Sequence, residues 1–270
     1  MHNKLFVFDI ETIVDPAAAR RLLNLNDSIS DKDAVQALEK YHLEQTDGKN
    51  GFARQPFHKI IAISFLSADI IKTTDGEAFK LQEIRSGGKP NSSEHELVSG
   101  LFSFLKNARA RLVSYNGRTF DLPVLKYRAM MHGIEASWLY KNGDKWNNYN
   151  SRYSLDWHCD LLEAFSDFGA SARIKMNEVC AAFGLPGKID TNGDDVAKLY
   201  SERKIEEIRD YCETDVINTY LLYLIYAHHS GIISHRSFEL AKDELENYLD
   251  TNGKAHFKKY LNIWQSGGHV

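Results

Sequence analysis

The chain has 270 residues and a formal net charge of −4, enough for one large domain or two small ones. Its apolar and charged fractions are those of an ordinary globular protein. The mild acidity excludes a globally basic nucleic-acid binder but leaves room for a local basic rim around an acidic centre. No apolar run approaches the roughly 20 residues that span a bilayer, and the first residues enter a strand with no signal-peptide pattern. Cys159, Cys180 and Cys212 are few, odd in number and without metal-ligand spacing, so they read as reduced core thiols. A cytoplasmic protein with no membrane association is the expectation.

Residues 4–9 read as a first strand: Leu5-Phe6-Val7-Phe8 is a continuous apolar run of the kind buried on both faces. Residues 14–56 read as an insertion. Within it a helix begins after Ser30, with Val35, Leu38 and Tyr41 on one stripe, and 47–51 form a loop. The insertion is either a flap over a site or a solvated excursion, and the second is favoured. Ile60 to Leu66 is a second strand and 78–84 a third, in a meander with the first. A helix runs from Glu94 to Lys106, a short strand from Arg111 to Tyr115 and a helix from about Leu122 to His132. Residues 134–153 read as a long aromatic loop, and 155–165 contain a strand or a helix start. A helix at 176–183 stops at Gly184 and Pro186, and 204–228 carry the longest helical pattern. Two amphipathic helices follow, with stripes through Phe238, Ala241, Leu245 and Tyr248, and through Phe257, Tyr260, Leu261 and Trp264. Strands followed by strand–helix alternation imply an α/β domain with a mixed sheet flanked by helices and extra C-terminal helices. The expected division is a domain at 1–230 and a helical extension at 231–270.

Three places carry chemistry. Side chains alternate along a strand, so Asp9 and Glu11 emerge on one face at the end of the first strand. Adjacent carboxylates repel and resist desolvation. A divalent cation, which takes oxygen ligands, relieves both costs, the bland alternative being two solvated acids. The second place is Tyr115 to Pro123, joining a strand to a helix. Asp121 suits an N-cap there, and Pro123 suits a first turn. If that strand lies beside the first, Asp121 reaches the sheet edge where Asp9 emerges, and ligands of α/β sheets bind beyond the carboxyl ends of strands. Asn116 and Phe120 then lie at the mouth, suited to a polar contact and to wedging against a base. The third is Arg209 to Val216 inside the long helix. Tyr211 and Asp215 are four residues apart on one face, close to the apolar stripe, and Arg209 or Arg203 are available to pair with Asp215. Glu213 reads as a solvated acid, His158 as packing, and Asp156 and Asp160 as acids outside the set.

In this order, Asp9-Ile10-Glu11, then Asn116-Gly117-Arg118-Thr119-Phe120-Asp121, then Tyr211-Cys212-Glu213-Thr214-Asp215, the motifs resemble the DEDD superfamily of 3′–5′ exonucleases, tyrosine subclass. The runs around Asn116, Tyr211 and Phe183-Gly184-Leu185-Pro186-Gly187-Lys188 look like the stand-alone bacterial exonucleases related to the proofreading domain of family-B DNA polymerases. The resemblance covers roughly residues 4–226. It implies a ribonuclease-H-like fold and two Mg²⁺ or Mn²⁺ ions about 4 Å apart. Asp9 would bridge them, Glu11 and Asp215 would serve the first and Asp121 the second. Tyr211 would position the attacking water, since a phenol of pKa near ~10 is a poor base at neutral pH. The resemblance also implies release of nucleoside 5′-monophosphates from a 3′ end, with single-stranded DNA as the expected substrate, and Thr12 against the terminal sugar. Arg54, Lys59, Arg118, Lys126, Arg173, Lys175 and Lys188 are candidates for following the phosphate backbone. An inactive nucleic-acid-binding module and a hydrolase of a small phosphodiester are the alternatives. A protein partner or a second copy could use the C-terminal helices.

Overall fold

The computed structural model describes residues 2–189 and 193–267. Its strands are β1 (Lys4–Val14), β2 (His58–Thr73), β3 (Gly76–Ser86), β4 (Arg111–Ser114) and β5 (His158–Asp160). Its α-helices are α1 (Pro16–Leu23), α2 (Asp31–Gln45), α3 (Glu94–Ala108), α4 (Asp121–Met131), α5 (Ser137–Tyr140), α6 (Leu161–Phe165), α7 (Met176–Ala182), α8 (Val196–Ser201), α9 (Ile205–His229), α10 (His235–Thr251) and α11 (Ala255–Gln265). The strands form one sheet in the order β3-β2-β1-β4-β5. The pairs among β1, β2 and β3 are antiparallel, and β4 and β5 run parallel to β1. This is the mixed, helix-flanked α/β sheet that the sequence leads one to expect.

The apolar run at the start of β1 explains its central place. Leu5 and Val7 enter a core shared with α9, α10 and α11, whereas Phe6, Phe8 and Ile10 enter a second core against α3 and α4. Helix α9 is buried over most of its 25 residues because the sheet lies on one side and α10 and α11 cover the other. A helix enclosed in this way keeps little solvent face beyond its two ends, which blurs its amphipathic pattern. The stripes of the last two helices are used inside the chain. Ala241, Leu245, Phe257, Tyr260 and Leu261 are buried in the α9 core, and Phe238, Tyr248 and Trp264 pack against it. Side chains of α10 also reach the edge strand, where Leu81 N–H donates to Glu244 (2.9 Å) and Ile84 N–H to the Tyr248 hydroxyl (2.9 Å).

The insertion is ordered. Asp15 caps α1 by accepting from the amides of Ala17 and Ala18, ahead of Pro16, and Ser30 caps α2 through Asp33 N–H. Ala19, Ala34, Leu38 and Ala53 form a small core of their own. The unit docks twice, on α4 through the Arg128–Asp15 ion pair (2.9 Å) and on the turn before α4 through Gln55 Nε2 donating to the Thr119 carbonyl (3.0 Å). Helix α1 is too short and too polar to have announced itself by periodicity. In the aromatic loop, Trp138 and Tyr149 are buried and pack edge-to-face (5.2 Å), so part of it serves the core.

Candidate active site

Beyond Val7, β1 keeps its alternation, and Asp9 and Glu11 continue the face that looks toward α9. Their oxygens and the sulfur of Cys212 lie within 4.8 Å of one another. The register with β2 then shifts between Glu11 and Thr12, a bulge that turns Thr12 away from the regular ladder. Its hydroxyl meets His58 Nδ1 at 2.9 Å, while His58 Nε2 meets the Ala53 carbonyl at 2.9 Å. A carbonyl only accepts, so Nε2 carries the hydrogen and Nδ1 accepts from Thr12. Burial lowers the His58 pKa and keeps the ring neutral.

Strand β4 lies beside β1, as the sheet-edge argument requires, and the turn after it returns Asp121 to the acids. The Ile10 amide, between Asp9 and Glu11, donates to Asp121 Oδ1 at 3.3 Å. Asp121 is not the N-cap. Phe120 occupies that position without a side-chain cap bond, and Asp121 stands in the first turn, buried, with its carboxylate turned to β1. The turn is fixed by Asp160, which sequence reasoning left aside. Its carboxylate accepts from the amides of Asn116 (2.9 Å) and Arg118 (2.8 Å). Asn116 takes a left-handed φ of 67°, which asparagine tolerates, and its side-chain oxygen accepts from Thr119 and from Arg173 (3.2 Å). A Cβ on Gly117 would lie 2.3 Å from Ser114 Oγ, itself bonded to the buried His158 at 2.7 Å, so only glycine fits.

Helix α9 brings Tyr211 and Asp215, both buried, to the same cleft. Lys188 Nζ donates to the Tyr211 hydroxyl at 2.6 Å and lies 4.0 Å from Asp215 Oδ2. Neither arginine proposed as a partner for Asp215 reaches it. Arg209 donates to the carbonyls of Gly87 (3.0 Å) and Gly88 (3.3 Å). Asp215 Oδ1 is buried and, among the described residues, has no hydrogen-bond partner. Glu213 is not a solvated acid. It is buried and accepts from Ser86 N–H (2.8 Å), Lys254 (2.6 Å) and His256 (2.9 Å). Those partners lie far along the chain, beyond the reach of a local pattern.

The electrostatics follow from this placement. Burial, then the neighbouring charges of Asp121 and Asp215, raise the Asp9 pKa well above the usual carboxylate range. Burial, then Asp9 and Asp215, do the same to Glu11. Burial carries Asp121 up to about 7 despite the Ile10 amide. Asp215 is raised by burial and moderated by Lys188 and the Tyr211 hydroxyl. Burial, then the acids, push the Tyr211 phenol up, so it stays protonated. Four crowded carboxylates, one with an orphaned oxygen, form a donor set that suits hard divalent cations. A cleft of about 620 Å³ opens over Asp9 and Asp215, with Asn116, Arg173, Lys175 and Lys188 on its walls. Of the other basic candidates, Arg118 donates to the His158 carbonyl and Lys126 to Asn150.

Residues 50–264 match the family model described as a predicted 3′–5′ exonuclease related to the exonuclease domain of PolB, and the chain belongs to this family. It is 24% identical over 145 residues to the catalytic subunit of DNA polymerase epsilon from Aspergillus fumigatus, a match covering 52% of this chain. It is 24% identical over 147 residues to the corresponding polypeptide of Schizosaccharomyces pombe, covering 50%. Each match spans 6% of the relative's length. The solved family B DNA polymerase of the archaeon Pyrobaculum calidifontis aligns at 14% identity with a TM-score of 0.47, covering 100% of this chain and 30% of that one. Among the described residues no helix is long and apolar enough to cross a membrane.

Proposed function

We propose that the chain is a metal-dependent exonuclease of the DEDD superfamily, tyrosine subclass. It hydrolyses the last phosphodiester bond at the 3′ end of single-stranded DNA and releases a nucleoside 5′-monophosphate. The observation that carries this reading is that Asp9 and Glu11 lie together, Asp121 accepts from the Ile10 amide between them and Asp215 is close enough to raise the pKa of both, beside a protonated Tyr211; among the described residues Asp215 Oδ1 has no hydrogen-bond partner. Asp9, Glu11 and Asp215 would hold one Mg²⁺ or Mn²⁺, and Asp9 with Asp121 the other. Bound there, the two cations supply a nucleophilic water at neutral pH and neutralise charge on the phosphate and the departing oxygen.

The chain's own groups do the rest. Tyr211 keeps its proton and orients the attacking water. Lys188 donates to the phenol oxygen, which leaves the phenol hydrogen to point elsewhere. Arg173, Lys175 and Lys188 line the cleft and favour an approaching phosphate. The Thr12 hydroxyl hydrogen is committed to His58, so its oxygen faces the terminal sugar as an acceptor.

The test is incubation of a 5′-labelled single strand with Mn²⁺. A descending ladder that disappears in Asp9→Asn supports the enzyme. Bound but intact strand indicates a binding module, and cleavage confined to dinucleotides indicates a small-phosphodiester hydrolase.

A further inference from the structure

Near its end the insertion carries an exposed aromatic ring, packed on His58 and Phe120, that the catalytic groups do not use. Phe52 is 61% exposed. Its ring centroid lies 5.1 Å from His58 at a 34° tilt and 5.8 Å from Phe120 at 53°, while His58 and Phe120 meet edge-on at 4.9 Å. Each neighbour is wired to the acids. His58 holds Thr12, next after Glu11, and Phe120 precedes Asp121. The three rings therefore form a small aromatic floor tied, through Thr12 and through Phe120 itself, to the segments that carry Glu11 and Asp121, and Phe52 is its exposed member.

The loop that carries Phe52 is built to hold it there. The Phe52 amide donates to Asn50 Oδ1 at 2.9 Å, and Thr46 Oγ1 ties the same turn by bonding the amide and the carbonyl of Asn50, both at 2.9 Å. Gly51 lies so close to α2 that a Cβ there would come within 2.9 Å of Glu39 Cγ. Gln55 and Asp15 anchor the same unit to the turn before α4 and to the end of α4. An apolar ring presented to water on a braced loop suits a flat partner, and its two ring neighbours belong to the segments next to Thr12 and Asp121. Nucleobases supply that flat face, and stacking on aromatic side chains tolerates any base.

We infer that residues 14–57 are a substrate-engaging element, in which Phe52 stacks an unpaired base of one of the two nucleotides flanking the scissile bond. This rests on the exonuclease reading and adds to it a base-stacking contact next to the scissile bond.

The test uses the full chain carrying Asp9→Asn to prevent turnover. Affinity is measured for a single-stranded oligonucleotide and for two copies lacking the base of the last or the penultimate nucleotide. Removing the contacted base from the strand, or introducing Phe52→Ala, should each weaken binding roughly tenfold. The two losses should not add, because both delete the same contact. Phe52→Trp should restore affinity. The exposure of Phe52 leaves the fold intact in these variants, which unchanged melting would verify. Equal affinity of Phe52→Ala and its parent, or additive losses for both oligonucleotides, would overturn the stacking floor while degradation by the unmutated chain kept the exonuclease reading. A chain that neither degrades nor binds any strand would overturn both.

Discussion

Two sets of buried acids in this molecule behave in opposite ways. Glu77, on β3, is bonded by Arg111 of β4 (2.7 Å and 3.1 Å) and by Lys72. Burial alone would raise its pKa, but these cations hold it below the usual range. Asp15 is held down by Arg128 in the same way, and Glu163 by Arg152 and Arg173. At the end of β1 the acids face one another instead. Among the described residues their one ion pair is the long contact from Lys188 to Asp215, and every member is pushed upward. Burial is common to both sets. What separates them is whether the fold supplies a cation, and the set without one is where a cation is expected from solution.

The sharpest way to break this contrast is to remove an acid from each set. Asp9→Asn should reduce strand degradation by well over roughly a hundredfold, more than the loss of an outer-shell partner causes, while metal-free urea unfolding shows equal or greater stability because one repulsive charge is gone. Glu77→Gln should do the reverse. It leaves Arg111 buried without its counter-ion, lowers stability by about 3–5 kcal/mol, and leaves the rate of the folded protein unchanged. If both variants lost stability alike, the two sets would not differ as described.

pH separates the sets by sign. A raised folded-state pKa means that the native cluster binds more protons than the unfolded chain, so metal-free stability should fall as pH rises from about 4 through the value near 7 for Asp121. Depressed Glu77, Asp15 and Glu163 act oppositely, and their contribution is lost as pH drops below about 4. Unfolding curves at pH 5 and 7.5 measure the first effect. Mn²⁺ should reverse it at pH 7.5, stabilising by about 2.7 kcal/mol at a hundred times Kd and releasing protons detectable by calorimetry in buffers of different ionisation enthalpy. The smallest expected change is that of Tyr211→Phe. Losing one orienting hydroxyl should slow single-turnover cleavage roughly tenfold, equivalent to about one hydrogen bond, with stability little altered. An unchanged rate would remove tyrosine from the mechanism.

Much of this was legible in the residues. The apolar run before Asp9, the turn signals around Asn116 and the four-residue spacing of Tyr211 and Asp215 are local, and local patterns do not depend on how distant segments pack. What escaped notice depends on distant partners. Asp160 works by accepting backbone amides, which every residue offers, so no residue type betrays it. Glu213 looked like a surface acid because Lys254 and His256 arrive from the start of α11. Phe52 is held by a loop of Asn and Gly whose composition says only that the chain turns.

The hydrogen bonds from β3 to Glu244 and Tyr248 have a practical consequence for anyone dividing this protein. A fragment ending near residue 230 would keep all the acids yet bare a row of strand amides along the sheet's rim. Such a rim invites a neighbouring molecule to add a strand of its own. Shortened versions should therefore be handled as candidates for fibrous or tangled assembly, and a minimal version that stays dispersed should retain its last two helices as a lid on that rim.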